Sequence, residues 1–131
     1  DFNAVVHAHP AYATGVAITN RDVPAVHYMI AAAGGPTLRC GAYATFGTDE
    51  LSRNALAALE NRSACLLANH GLIACGPTLP KAVWLAEEME TLCRQYVIAL
   101  QAGEPVVLSD AEIAHVKEKF KSYGPKRKDA G

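Results

Sequence analysis

Three histidines in this sequence have the spacing and neighbours expected of metal ligands. His7 and His9 form an HxH pair, and side chains two residues apart on a strand share one face, about 6.6 Å apart. Two imidazoles at that separation can converge on one cation, with bonds of about 2.0–2.1 Å. His70 follows another apolar run and precedes Gly71, which allows the backbone to come close to a site. Three such nitrogens with open coordination positions are typical of a catalytic metal centre.

The same spacing is compatible with simpler roles. An HxH pair can occur by chance or for local hydrogen bonding, and a hydrogen-bonded turn residue is the second interpretation of His70. His27 lies beside Tyr28 in an apolar stretch, which favours a core or interface histidine. His115 falls on the polar side of a helical pattern, so we expect it to be solvated.

Tyrosines are further candidates for chemistry. The phenols of Tyr28 and Tyr123 can donate a proton to an oxyanion at neutral pH, although packing is the more ordinary role. Tyr43 and Phe46 lie in an expected loop and Tyr96 on a helix face, where packing is again the simpler interpretation. The sequence has no nucleophilic serine elbow, P-loop or GxGxxG motif.

Short strands and amphipathic helices must position these residues. We expect buried strands at residues 2–7, 64–68 and 72–74, and an irregular strand at 37–45. We expect helices over residues 10–18, 49–60, 78–103 and 109–122, the last three beginning at the caps Thr48, Thr78 and Ser109. The apolar stretch 26–33 is compatible with either a helix or a strand. Interleaved strands and helices predict one α/β domain, residues 1–131, with residues 122–131 as a flexible tail.

The composition argues against several classes of partner. The 131 residues are 50% hydrophobic with a net charge of −1, so we expect neither nucleic acid nor a membrane surface as a partner. No apolar run approaches the roughly 20 residues of a membrane span. Four cysteines occur without a CxxC pair, which favours buried free thiols and a reducing, cytoplasmic location. Since the chain starts at Asp1 and enters a strand directly, we expect further residues before it, with a processed N-terminus as the alternative.

Six segments together resemble the class II aldolase/adducin family: AVVHAHPAYAT, VPAVHYMIAAAGG, YATFGTDELS, LLANHGLIACG, KAVWLAEEMETL and LSDAEIAHVKEKFKSYG. They span residues 3–124, which is nearly the whole chain. The resemblance implies a three-layer α/β/α sandwich whose N-terminal portion is missing here. It also implies a homotetramer with fourfold symmetry.

The resemblance also implies roles for particular residues. The family's zinc ligands fall on His7, His9 and His70. Tyr28 falls on a tyrosine that reaches the aldehyde side of a site shared between subunits, and Phe46 on an apolar wall of that region. Tyr123 falls on the tyrosine of a C-terminal tail that closes over the site.

The activity implied is that of a metal-dependent aldehyde-lyase acting on a small-molecule sugar phosphate. It would cleave a ketose 1-phosphate, similar to L-fuculose 1-phosphate, to dihydroxyacetone phosphate and an aldehyde. The alternatives are a pentulose-phosphate 4-epimerase, a methylthioribulose-phosphate dehydratase, a decarboxylase, or an inactive or adducin-like binding domain. The family's acid/base glutamate and phosphate loops would precede Asp1, and Glu50, Glu60 and Glu104 suit surface positions. We therefore expect residues 1–131 alone to be inactive.

Overall fold

A computed structural model describes residues 2–122 of the chain. In this part the strands are β1 (Ala4–Ala8), β2 (Cys40–Gly41), β3 (Ala64–Leu67) and β4 (Gly71–Gly76). The helices are α1 (Ala11–Ile18), α2 (Asp49–Ala58), α3 (Leu79–Ala102) and α4 (Asp110–Phe120), with a 3-10 helix at Tyr28–Ala33. None of these helices is long and apolar enough to cross a bilayer. Tyr123 lies outside the described residues, as does nearly all of the predicted tail.

The four strands form one mixed sheet in the order β1-β4-β3-β2. Both β1 and β3 run antiparallel to β4, while β2 runs parallel to β3. The register between β1 and β4 sets His7 opposite Ile73 and Ala8 opposite Leu72. This pairing brings the HxH segment beside the start of β4, immediately after His70.

Helices cover both faces of the sheet because its central strands are apolar on both sides. On one face, Leu66 and Leu72 join the main core with residues of α1, α3 and α4. On the other face, Cys65 and Leu67 pack against Ala55 and Ala58 of α2. The alternation of side chains along β3 thus divides its residues between two cores. The α/β class and the three-layer order are therefore confirmed.

The predicted helix caps are confirmed by their hydrogen bonds. Each cap hydroxyl accepts the backbone N–H three residues later: Thr48 from Leu51, Thr78 from Lys81 and Ser109 from Glu112. Asp49 and Glu50 occupy the first turn of α2, where the helix dipole favours negative charge. These local signals set the starts of α2, α3 and α4.

The first predicted strand is only partly right, because β1 is not buried. Val5 is 63% exposed and Phe2 is 51% exposed. The strand order places β1 at an edge, where β4 is its only partner in the described sheet. An apolar run cannot by itself distinguish an edge strand from a central one.

Two other segments form short elements in which a polar side chain accepts a backbone N–H. In the stretch 26–33, Tyr28–Ala33 forms the 3-10 helix. Its first turn is capped by the His27 ring, whose Nδ1 accepts the Met29 N–H at 3.1 Å. The irregular strand predicted at 37–45 shrinks to the two residues of β2. There the Cys40 N–H donates to the Asp22 carboxylate at 2.8 Å.

Candidate metal centre

His7 lies near the end of β1, and a backbone carbonyl fixes the tautomer of its neutral ring. Its Nδ1 lies 3.0 Å from the Leu72 carbonyl oxygen of β4. Because a carbonyl oxygen can only accept, Nδ1 carries the proton and donates it. The Nε2 of a neutral His7 therefore keeps its lone pair for another partner. A hydrogen bond of this kind commonly orients metal-binding histidines.

The structure brings the three predicted histidines together. His7 Nε2 lies 3.2 Å from His9 Nε2, and the ligand atoms of His7, His9 and His70 all lie within 4.8 Å of one another. Two nitrogens bound tetrahedrally to one ion at about 2.0–2.1 Å are about 3.3 Å apart. The short contact therefore suits either a shared proton or two ligands of one cation. The 3.2 Å pair already has this spacing, and a small movement of the His70 ring would bring a third nitrogen to a divalent cation such as zinc.

The environment of His70 favours its neutral form. Partial burial lowers the pKa of His70, and the neighbouring His7 and His9 rings lower it further. Burial disfavours the charged imidazolium, and nearby positive charge does the same. The neutral ring is the form that binds a metal ion.

The turn that carries His70 is held by two asparagines. Asn69 has a φ of +55°, a left-handed conformation that asparagine tolerates better than most residues. Its side-chain oxygen accepts a hydrogen bond from Asn20 Nδ2 at 2.8 Å. Its backbone N–H donates to the Ala17 carbonyl of α1 at 3.1 Å. These bonds tie the turn before His70 to the end of α1, which follows the HxH segment.

Gly71 allows the two ligand-bearing segments to approach each other. A Cβ added at this position would lie 2.4 Å from the Ala8 carbonyl oxygen and 2.8 Å from His9 Cδ2. Either contact is far shorter than van der Waals distance. The close approach that the sequence suggested for this glycine is therefore confirmed, and the partners are the backbone of β1 and the ring of His9.

The three histidines open onto a cavity of about 380 Å³ that Tyr43, Ala44, Phe46 and Asn69 also line. Phe46 is 81% exposed, and the structure places it beside the histidines, where an apolar wall was predicted. Tyr43 lines the same cavity, although the sequence interpretation assigned it to packing. The sequence feature that could have indicated this place is the position of Tyr43, three residues before Phe46 in the same loop.

Within a single chain, Tyr28 does not line the cavity of the three histidines. It lines a separate hollow with Met29, Val116, Lys119 and Phe120. Its ring stacks on His27 with centroids 4.5 Å apart. The structure therefore does not bring Tyr28 to the histidine cluster of the same chain, and its predicted role requires a neighbouring copy.

The remaining titratable candidates lie outside the cluster. Glu50, Glu60 and Glu104 are exposed, as predicted, and so is His115. Within residues 2–122, no carboxylate belongs to the three-histidine group. In this part of the chain the cluster thus offers three imidazole nitrogens and no carboxylate oxygen.

The four cysteines are free, and three of them are buried, with Cys40 partly so. Burial raises the pKa of Cys65 and of Cys93 to about 12. Since the thiolate is the nucleophile, we expect iodoacetamide at neutral pH to modify both at least about 100-fold more slowly than free cysteine. Mass spectrometry of the alkylated chain, with and without denaturant, measures this difference. Fast labelling of Cys93 in the native chain would contradict its packing.

Comparison with known proteins gives the family of this chain. Residues 1–97 match the family model described as Class II Aldolase and Adducin N-terminal domain. The chain is 58% identical over 125 residues to the L-fuculose phosphate aldolase of Escherichia coli (strain K12), covering 95% of this chain and 58% of that protein. It is 56% identical over 124 residues to the 5-methylthioribulose-1-phosphate/5-deoxyribulose-1-phosphate aldolase of Rhodospirillum rubrum, covering 95% of this chain and 56% of that protein.

The fold agrees with these sequence matches. A solved structure of L-fuculose 1-phosphate aldolase superimposes with a TM-score of 0.90 at 48% identity, covering 92% of this chain and 57% of that chain. The chain thus spans less than two thirds of the length of each of these relatives. With a family match over residues 1–97 and this degree of identity, the chain belongs to the class II aldolase/adducin family.

Proposed function

We propose that this chain supplies the metal centre of a class II aldolase that cleaves a ketose 1-phosphate to dihydroxyacetone phosphate and an aldehyde. The observation that carries the proposal is the convergence of His7, His9 and His70, with two Nε2 atoms 3.2 Å apart. The names of the similar proteins support a sugar-phosphate aldolase. Because the chain spans 58% of the first of these relatives, the activity belongs to a whole protein that includes this chain.

The residues of this chain would hold the cation and keep it accessible. The Leu72 carbonyl orients His7, so that its Nε2 faces the Nε2 of His9. The lowered pKa of His70 favours the neutral ring, which is the form that binds a metal ion. When bound, a zinc ion would act as a Lewis acid and stabilise the negative charge that develops on the substrate oxygens.

The walls of the cavity would receive the aldehyde part of the substrate. Phe46 and Tyr43 are exposed beside the histidines and offer apolar surface to a short carbon chain. Tyr28 is half exposed on a different surface, so it would serve the site of a neighbouring subunit in a homotetramer. We further propose that Tyr123, which lies outside the described residues, supplies a second phenol to the same end of the site.

Two ketose 1-phosphates are candidate substrates. L-Fuculose 1-phosphate is the leading substrate, since an aldolase named for it is 58% identical to this chain. A methylthioribulose or deoxyribulose 1-phosphate is the second, since an aldolase named for these is 56% identical. The two classes share the dihydroxyacetone phosphate half and differ in the aldehyde half. Turnover of both substrates under the same conditions therefore distinguishes them.

The proposal predicts activity that depends on both chain length and metal. Carbon–carbon cleavage needs a proton acceptor for the aldol hydroxyl and a positioned substrate. In residues 2–122 the histidine cluster has no carboxylate. We expect residues 1–131 alone to cleave L-fuculose 1-phosphate negligibly, and a chain extended to the length of its relatives to cleave it only with a divalent cation. The measurement is the release of dihydroxyacetone phosphate by both chains, with and without chelator.

Either of two results would contradict this proposal. Full activity of residues 1–131 would mean that the chain contains its own base and phosphate-binding groups. Undiminished activity of the extended chain after exhaustive chelation would mean that the histidines do not serve a metal. A control with the His115→Ala substitution should behave as the unmodified chain, because His115 is exposed and outside the cluster.

A further inference from the structure

The first turn of α1 lacks a cap from its own sequence. Pro10 is at the N-cap position and makes no side-chain hydrogen bond, and the first turn contains no acidic residue. The first backbone N–H groups of a helix have no partner within the helix. Pro10 also directly follows His9, so the start of α1 sets the direction in which the chain leaves the HxH segment.

A carboxylate from α3 takes the place of the missing cap. The Tyr12 N–H donates to Glu90 Oε1 at 2.7 Å, and the Ala13 N–H donates to Glu90 Oε2 at 2.8 Å. With Pro10 as the N-cap, these are the second and third N–H groups of the helix, the two that a local cap residue satisfies. Hydrogen bonds to a charged acceptor are stronger than neutral ones, and the positive end of the helix dipole favours a carboxylate.

A second contact from α3 reaches the same turn. The guanidinium of Arg94, one turn after Glu90, lies 5.6 Å from the centroid of the Tyr12 ring. At the other end of α1, the Ala17 carbonyl accepts the Asn69 N–H. The helix therefore lies between α3 and the turn that carries His70, and both ends are held.

We propose that Glu90 is a positioning residue of the metal centre. By capping the first turn of α1 it fixes Pro10, and through Pro10 it fixes the orientation of the His9 ring relative to His7. Glu90 does not belong to the three-histidine group, and both of its carboxylate oxygens accept backbone N–H groups of α1, so it acts through α1. This inference rests on the proposed function in one respect, namely that the three histidines bind a divalent cation.

The first test measures Zn²⁺ affinity of the full 131-residue chain by competition with a chromophoric chelator. We expect Glu90→Ala to weaken Zn²⁺ binding by about tenfold, the usual effect of losing a group that orients a ligand. The matched control is Glu87→Ala, which removes the same type of charge one turn earlier on α3 from an exposed position. That control should bind Zn²⁺ as the unmodified chain does.

A rescue experiment separates capping of α1 from other effects of the substitution. In the Glu90→Ala background, Pro10→Ser supplies a local hydroxyl that can accept the N–H of Tyr12 or Ala13, and we expect most of the lost affinity to return. Pro10→Ala in that background supplies no acceptor and should not restore it. The visible absorption of Co²⁺ bound in place of Zn²⁺ reports the arrangement of the ligands, and it should change in Glu90→Ala and revert with Pro10→Ser.

The possible outcomes distinguish this inference from the proposed function. If the unmodified chain does not bind Zn²⁺, the proposed metal centre itself is wrong. If it binds Zn²⁺ and Glu90→Ala binds equally well with the same Co²⁺ spectrum, the role of Glu90 is refuted. Should Glu90→Ala fail to fold, the same measurements on Glu90→Gln decide, because glutamine replaces one of the two acceptor oxygens by an NH₂ group and so loses one of the two hydrogen bonds to α1. An unchanged affinity and spectrum in Glu90→Gln would also refute the role.

Discussion

Alanine in place of any one of His7, His9 and His70 is expected to lower the affinity for Zn²⁺ by more than about 100-fold. The loss of a group that merely orients a ligand already lowers metal affinity by about 10–100-fold, and these substitutions remove a ligand itself. The three ligand atoms lie within 4.8 Å of one another, so removal of one leaves two donors and a solvent-filled gap. Binding titrations and elemental analysis after dialysis measure the effect.

The control for the ligand substitutions is another histidine of the same chain. His27 is unsuitable because its ring caps the 3-10 helix. His115 is exposed and lies outside the cluster, so His115→Ala should leave one Zn²⁺ bound per chain. Retention of full Zn²⁺ affinity in His70→Ala would mean that the three rings converge for another reason.

Gly71→Ala is expected to have the next largest effect, on both stability and metal binding. The added Cβ would lie 2.4 Å from the Ala8 carbonyl oxygen, and Ala8 is paired with Leu72 in the sheet. Relief of this clash must move β1 away from β4 and displace the His9 ring, which lies 2.8 Å from the same Cβ. We expect a loss of about 3 kcal/mol in the free energy of unfolding, together with weakened Zn²⁺ binding.

Urea unfolding of the metal-free chain and a Zn²⁺ titration measure these two consequences separately. The matched control is Gly15→Ala in α1, where an added Cβ meets no atom within 4 Å. Alanine is the better helix former by about 0.5–1 kcal/mol, so this control should raise stability slightly. Wild-type stability in Gly71→Ala would show that the two segments are not held as close as the structure has them.

The sequence was sufficient to predict those features that a local pattern determines. The period of two along the HxH segment predicted that His7 and His9 share a face. Thr48, Thr78 and Ser109 predicted three helix starts, because a cap hydroxyl bonds an N–H only three residues away. The family resemblance, now confirmed, added the three-layer fold. The metal, substrate and tyrosine roles stay predictions.

Features that depend on contacts between distant residues could not be predicted in this way. Glu90 and Tyr12 are 78 positions apart in the chain, and no local pattern connects a helix start to a carboxylate so far away. The exposure of Val5 follows from the strand order, which an apolar run does not encode. The place of Tyr43 in the cavity follows from the path of a loop.

The pairing of β1 with β4 has a consequence for how the chain folds. His7 and the Leu72 carbonyl that orients it are 65 positions apart, so the three nitrogens meet only after a long loop has closed, at an entropic cost. In the unfolded chain His7 and His9 are still neighbours, but His70 is more than 60 positions away. An ion that binds the native chain far better than the unfolded one adds its differential binding free energy to stability. Uptake of Zn²⁺ during refolding would thus report when the two strands join.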